Sequence, residues 1–120
     1  MSLKTPLPLL GGITAEQFIK DYWQKKPLLI RQAIPDFECP VSADELAGLA
    51  MEEEVESRMV SENGKSGLWE PKNGPFTEED FASMPKSNWT FLIQQLDAWV
   101  PEINELKQQF NFIPNWRIDD

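Results

Sequence analysis

The amino-acid sequence predicts an α+β fold, and three observations carry that prediction. Thr14-Ala15-Glu16-Gln17 and Ser42-Ala43-Asp44-Glu45 read as capping boxes, each followed by apolar residues at helical spacing. A near-alternating stretch from Val55 to Ser61 leads into Asn63-Gly64, the strongest hairpin signal in the chain. Trp89-Thr90-Phe91-Leu92-Ile93-Gln94 concentrates aromatic and β-branched side chains, as strands do. At 120 residues and 13.8 kDa the chain suits one ordinary domain around a single core.

Taken in order, the first helix opens at Thr14 and carries Phe18, Ile19, Tyr22 and Trp23 on one face to about Gln24. Lys25 and Lys26 suit its negative C-terminus, and Pro27 stops it. Leu28-Leu29-Ile30-Arg31 is too short for a helix and reads as a buried strand. The second helix opens at Ser42 and buries Leu46, Leu49 and Ala50. After the hairpin turn, Leu68-Trp69-Glu70 returns as a strand that Pro71 confines to an edge or a strand end. Gly74-Pro75-Phe76 is a turn, and Thr77 begins a short helical turn that carries Phe81 inward. Trp89–Gln94 is expected to be a central strand, while residues 95–100 are compatible with helix or strand. Pro101-Glu102 suits a helix start, with Ile103, Leu106 and Phe110 on its inner face. Trp116-Arg117-Ile118-Asp119-Asp120 begins a further strand. A strand cut there leaves main-chain groups with few residues to pair, so the sequence reads as a fragment of a larger protein.

Composition excludes several function classes. Eleven Lys plus Arg against twenty Asp plus Glu give a net charge of −9 and a pI near 4.5, which argues against nucleic acid or anionic lipid as the main ligand. The acidic excess lies in the second half, where residues 51–120 hold six basic and fourteen acidic side chains. The run Glu52-Glu53-Glu54 with Glu56 reads as a solvated surface. No apolar stretch approaches the roughly 20 residues that span a bilayer, and Met1–Pro6 lacks the apolar run of a signal peptide. The cytoplasm is therefore the expected location, and Asn88-Trp89-Thr90 reads as an accidental glycosylation match.

The chain has no His and one Cys, which excludes Cys/His zinc sites and Ser-His or Cys-His nucleophilic machinery built from its own residues. Cys39 lies between Glu38 and Pro40, where negative charge disfavours a thiolate. Adjacent acids such as Asp119-Asp120 point to opposite faces of a strand, and Glu78-Glu79-Asp80 sit where acids meet a helix N-terminus. Neither pattern reads as acid–base machinery. The glycines, Gly11-Gly12 included, form no phosphate-binding pattern. The five Trp, at 23, 69, 89, 99 and 116, each sit in an apolar run and are expected in the core. No catalytic, cofactor-binding or metal-ligating residue is assigned to the chain on these grounds.

Phe18-Ile19-Lys20-Asp21-Tyr22-Trp23-Gln24-Lys25-Lys26-Pro27-Leu28-Leu29-Ile30-Arg31 resembles the opening segment of Jumonji-C-type, cupin-fold oxygenases, in which a helix ends in a Trp-x-Lys-x-Pro turn. Residues 44–52, Val55–Ser61, Asn88–Gln94 and Pro114–Asp120 resemble one bacterial branch, the ribosomal-protein arginine hydroxylases. The resemblance implies a double-stranded β-helix that holds Fe(II) through a His-x-Asp motif and a second His, with 2-oxoglutarate beside it. It places that motif after Asp120, so residues 1–13 are expected to be an N-terminal extension and 14–120 the N-terminal part of the catalytic domain. The implied parent hydroxylates an arginine of a large-subunit ribosomal protein, with Fe(II) and 2-oxoglutarate as its cofactors. The chain itself is expected to hold no cofactor, to be inert alone, and to self-associate through an apolar face left open. The competing reading is a self-contained acidic protein-interaction module without catalytic activity.

Overall fold

The computed structural model describes residues 2–63 and 65–120. The chain divides into two compact units rather than packing around the single core expected, one formed by residues 1–39 and 106–118, the other by 40–105 and 119–120. Each unit has its own apolar cluster, because the apolar residues near both ends and those of the middle segment collect separately.

In the first unit, α1 (Ala15–Asp21) starts where the sequence places it, with Gln17 N donating to Thr14 Oγ1 at 3.0 Å. It stops at Asp21, earlier than the apolar face suggested. Tyr22 and Trp23 N both donate to Phe18 O, and Gln24 adopts a left-handed φ of 60° that turns the chain before Pro27 is reached. Lys25 Nζ caps the end by donating to Lys20 O. Leu10, Ala15 and Phe112 are buried together, with Phe18 and Phe112 meeting edge to face at 5.9 Å. Leu7, Leu9 and Ile13 join this cluster, and Pro6 bridges to Thr14.

Leu28–Arg31 does not form the strand expected of it. Ile30 turns into the cluster while Leu29 stays 74% exposed, so the segment alternates as a strand would. It pairs with no other strand among the described residues, and a strand is defined by its ladder. Nor does Trp116–Asp120 form one: Asn115–Arg117 is a 3-10 turn, and Trp116 stands 78% exposed with Arg117 over its ring at 4.8 Å.

The second unit is built on an antiparallel sheet of order β2-β1-β3. Its strands are β1 (Ser57–Glu62), β2 (Trp69–Asn73) and β3 (Trp89–Ile93). Residues 63–68 connect β1 to β2. Gly64, half of the hairpin signal, lies outside the described residues, whereas Asn63 holds the connection: its Oδ1 accepts from Lys65 N and Ser66 N, and its Nδ2 donates to Glu70 Oε1 at 2.9 Å. Pro71 sits within β2, opposite Val60, on the edge strand where a missing N–H costs no ladder bond. The sheet's centre is β1, not the Trp89 segment, since among the described residues β3 pairs with β1 alone.

One face of the sheet carries the core. Met59 and Ile93 are buried with Ala50, Val55 and Phe76, and Leu46, Leu49, Phe81, Trp89 and Phe91 pack around them. α2 (Ala43–Ala50) contributes through a complete capping box between Ser42 and Glu45. α3 (Glu78–Ala82) repeats the device between Thr77 and Asp80, and brings the Phe81 ring within 5.1 Å of Phe91. After β3, Gln95 takes a left-handed φ of 54° and a 3-10 turn, Leu96–Ala98, leads to α4 (Pro101–Gln108).

Candidate functional site

Each functional residue type singled out in the sequence has a defined place, and most are kept apart. Glu52, Glu53, Glu54 and Glu56 are exposed. Cys39 is exposed as well. Glu78, Glu79 and Asp80 form the first turn of α3, where acids complement the helix N-terminus. Asp80 accepts from Thr77 N at 2.8 Å and from Lys72 Nζ at 3.1 Å. The Thr77 amide, and after it the Lys72 ammonium, hold the Asp80 carboxyl below the usual carboxylate range. This is a structural cap, tying α3 to β2.

The expectation that all five Trp are core residues fails at three of them. Trp23 and Trp89 are half-buried, and Trp89 Nε1 donates to Pro85 O at 2.7 Å. Trp69, Trp99 and Trp116 are 61%, 42% and 78% exposed. Trp69 lies on the sheet face opposite the core, because its partner Glu62 alternates with buried Met59 along β1.

The described residues of the second unit line a pair of notable depressions. The larger, about 500 Å³, is lined by residues 90–94 of β3 and its end, by Leu46 of α2 and Leu96, and by Asp119 and Asp120. Asp97 N donates to Asp120 Oδ2 at 3.2 Å, which fixes the acidic pair at this position. The smaller, about 390 Å³, lies between α2 and the start of α4, with Trp99 and Val100 facing Leu49 and Glu52. Sequence reading placed residues 90–94 on a strand but gave no sign that the acidic pair, some 25 residues later, would reach it.

The donor set does not fit the iron centre that the resemblance implies for a parent. That centre needs two imidazoles and one carboxylate, the chain has no His, and no three His, Cys, Asp or Glu side chains converge among the described residues. No chemical step is assigned to residues of this chain. Likewise, no helix among the described residues is long and apolar enough to cross a membrane.

Over nearly all of its length the chain, with its helical unit and its unit built on a small antiparallel sheet, is similar to part of bacterial ribosomal oxygenases. Ribosomal protein uL16 3-hydroxylase of Escherichia coli (strain K12) is 41% identical over 103 residues, which are 86% of this chain and 26% of that protein. A probable ribosomal oxygenase of Haemophilus influenzae is 39% identical over 108 residues, 90% of this chain and 26% of the relative. Among solved structures, the E. coli ribosomal oxygenase YcfD superposes with a TM-score of 0.77 at 39% identity, covering 90% of this chain and 29% of that one. YcfD in complex with cobalt and 2-oxoglutarate matches at a TM-score of 0.76 and 40% identity, over 88% of this chain and 28% of that one. No family model matches the sequence. The chain thus spans about a quarter of the length of these relatives and matches their N-terminal part.

Proposed function

We propose that these residues are the N-terminal structural portion of an Fe(II)- and 2-oxoglutarate-dependent oxygenase that hydroxylates an arginine of a large-subunit ribosomal protein. The observation that carries this reading is the agreement of sequence and fold: about 40% identity and a TM-score of 0.77 over the same nine-tenths of the chain. In this reading residues 14–120 are the N-terminal part of a double-stranded β-helix domain and 1–13 precede it, lending Leu10 to the first apolar cluster. The metal ligands and the 2-oxoglutarate contacts belong to other residues of the parent, and the 120 residues are inert by themselves. Their role is to buttress the catalytic barrel from a cytoplasmic protein's N-terminal side.

The experiment is a 2-oxoglutarate decarboxylation assay with Fe(II) and ascorbate, run on the 120-residue chain and on a polypeptide extended to the relatives' length. The expected result is turnover by the longer polypeptide, stimulated by uL16, and none by the shorter. Turnover by the 120 residues alone, or a longer reading frame without a His-x-Asp motif, would overturn the proposal.

A further inference from the structure

Asn73-Gly74 closes β2 where the strand meets the core of the second unit. Asn73 stands opposite Arg58 in the last pair of the β1–β2 ladder and is exposed. One residue on, Gly74 N donates to Ser57 O at 2.9 Å. Ser57 and Phe76, which flank this bond, are 4% and 2% accessible. The space around Gly74 is filled: a Cβ there would overlap Ser57 Oγ and meet the Phe76 ring at 3.3 Å. A solvated carboxamide thus adjoins a main-chain nitrogen that is locked in place.

An Asn followed by Gly carries chemistry of its own, because no Cβ on the second residue hinders approach of its nitrogen. The nitrogen of Gly74 bonds to Cγ of Asn73, and the Cγ–Nδ2 bond breaks. Ammonia leaves with the proton that the Gly74 amide gives up, and a succinimide ring remains. Water then opens the ring at either carbonyl, leaving an aspartyl or an isoaspartyl residue at position 73. Nothing is oxidised or reduced, and water is the sole co-reactant. Ring closure needs the Gly74 nitrogen deprotonated and swung onto Cγ. Both are opposed while its N–H donates to Ser57 O and its backbone is wedged between Ser57 and Phe76.

We propose that Asn73-Gly74 is a conformation-gated modification site: the Ser57 bond holds it as the amide, and release of this end of β2 from β1 frees it to form the succinimide. Conversion also acts as a ratchet. The isoaspartyl product routes the main chain through the former side chain, which adds a methylene ahead of Gly74 N. The added length shifts Gly74 N off Ser57 O and disturbs the bond from Phe76 N to Ala50 O at 2.9 Å, so the opened end does not close in register. This inference rests on contacts within the second unit and is independent of the oxygenase reading.

The test follows conversion at residue 73 of the 120-residue protein by peptide mapping at mildly alkaline pH, beside a synthetic peptide of residues 71–78. Mapping separates this step from Asn63-Gly64, whose Gly64 lies outside the described residues. Conversion is expected to be about tenfold slower in the folded protein than in the peptide, or slower still, and by the factor that slows hydrogen exchange of the Gly74 amide. Small additions of urea are expected to speed both in parallel, and Asn73→Gln to suppress conversion. The purified isoaspartyl form is expected to lose exchange protection at Gly74 and Phe76. Conversion as fast in the folded protein as in the peptide overturns the proposal. So does conversion that departs from Gly74 exchange as urea is added, including its absence where that exchange predicts it. An isoaspartyl form that keeps Gly74 protected overturns it too.

Discussion

Gly74 leaves no room for a single added methyl group. A Cβ there would overlap Ser57 Oγ and lie 3.3 Å from the Phe76 ring, two of the most buried side chains in the second unit. Gly74 N also donates to Ser57 O at 2.9 Å, so the backbone has little freedom to move away. Gly74→Ala is expected to destabilise by about 1–3 kcal/mol, the cost of overpacking, seen as a lower urea midpoint at constant slope. Adding Ser57→Ala removes the nearest atom and is expected to recover part of the loss. Asp80 makes a pH-dependent contribution of definite sign. Its folded pKa lies below the ordinary 3.8, so its stabilisation is complete above that value and disappears as pH falls through the lower, folded one. Asp80→Asn is expected to lower the denaturant midpoint at neutral pH, and the two proteins are expected to converge in strong acid.

At the level of elements, the short helices depend on their caps. α3 has five residues, too few to persist on propensity, and is held by the reciprocal Thr77–Asp80 bonds and by Phe81 packing on Phe76 and Phe91. Thr77→Ala is expected to cost about 1 kcal/mol in chemical denaturation. Phe76→Ala is expected to cost about 3–5 kcal/mol, because its ring is 2% exposed at the centre of the cluster joining α2, β1 and β3. The helix starts at Thr14, Ser42, Thr77 and Pro101 were legible in the sequence, since capping is decided within four residues. The end of α1 was not, since a left-handed Gln24 carries no side-chain signature.

For the chain as a whole, several large apolar side chains stand in solvent. Leu29, Leu68, Trp69 and Trp116 account for the largest exposed apolar side chains, each more than 60% accessible. Such surface is expected to bind a hydrophobic dye at neutral pH and to drive self-association that strengthens with salt, as screening relieves the −9 charge. Sedimentation at several concentrations checks this, and a clean monomer with no dye binding contradicts it. Three of five Trp residues escaped the core for the same reason: residence in an apolar run says that a side chain wants cover, not that cover exists.

The sequence by itself determined the α+β character, the four helix starts, the hairpin with Pro71 on its edge strand, and the lack of an imidazole ligand. These depend on the residue alone or on neighbours a few positions apart. Tertiary structure decided that Leu28–Arg31 joins no ladder among the described residues and that Asn115–Arg117 closes into a 3-10 turn where a strand was expected. It also decided that β3 lies at an edge and that Asp119 and Asp120 reach it. Whether an extended segment becomes a strand, and which of its sides stays open, is settled by a partner distant in the chain, and local pattern cannot specify that partner.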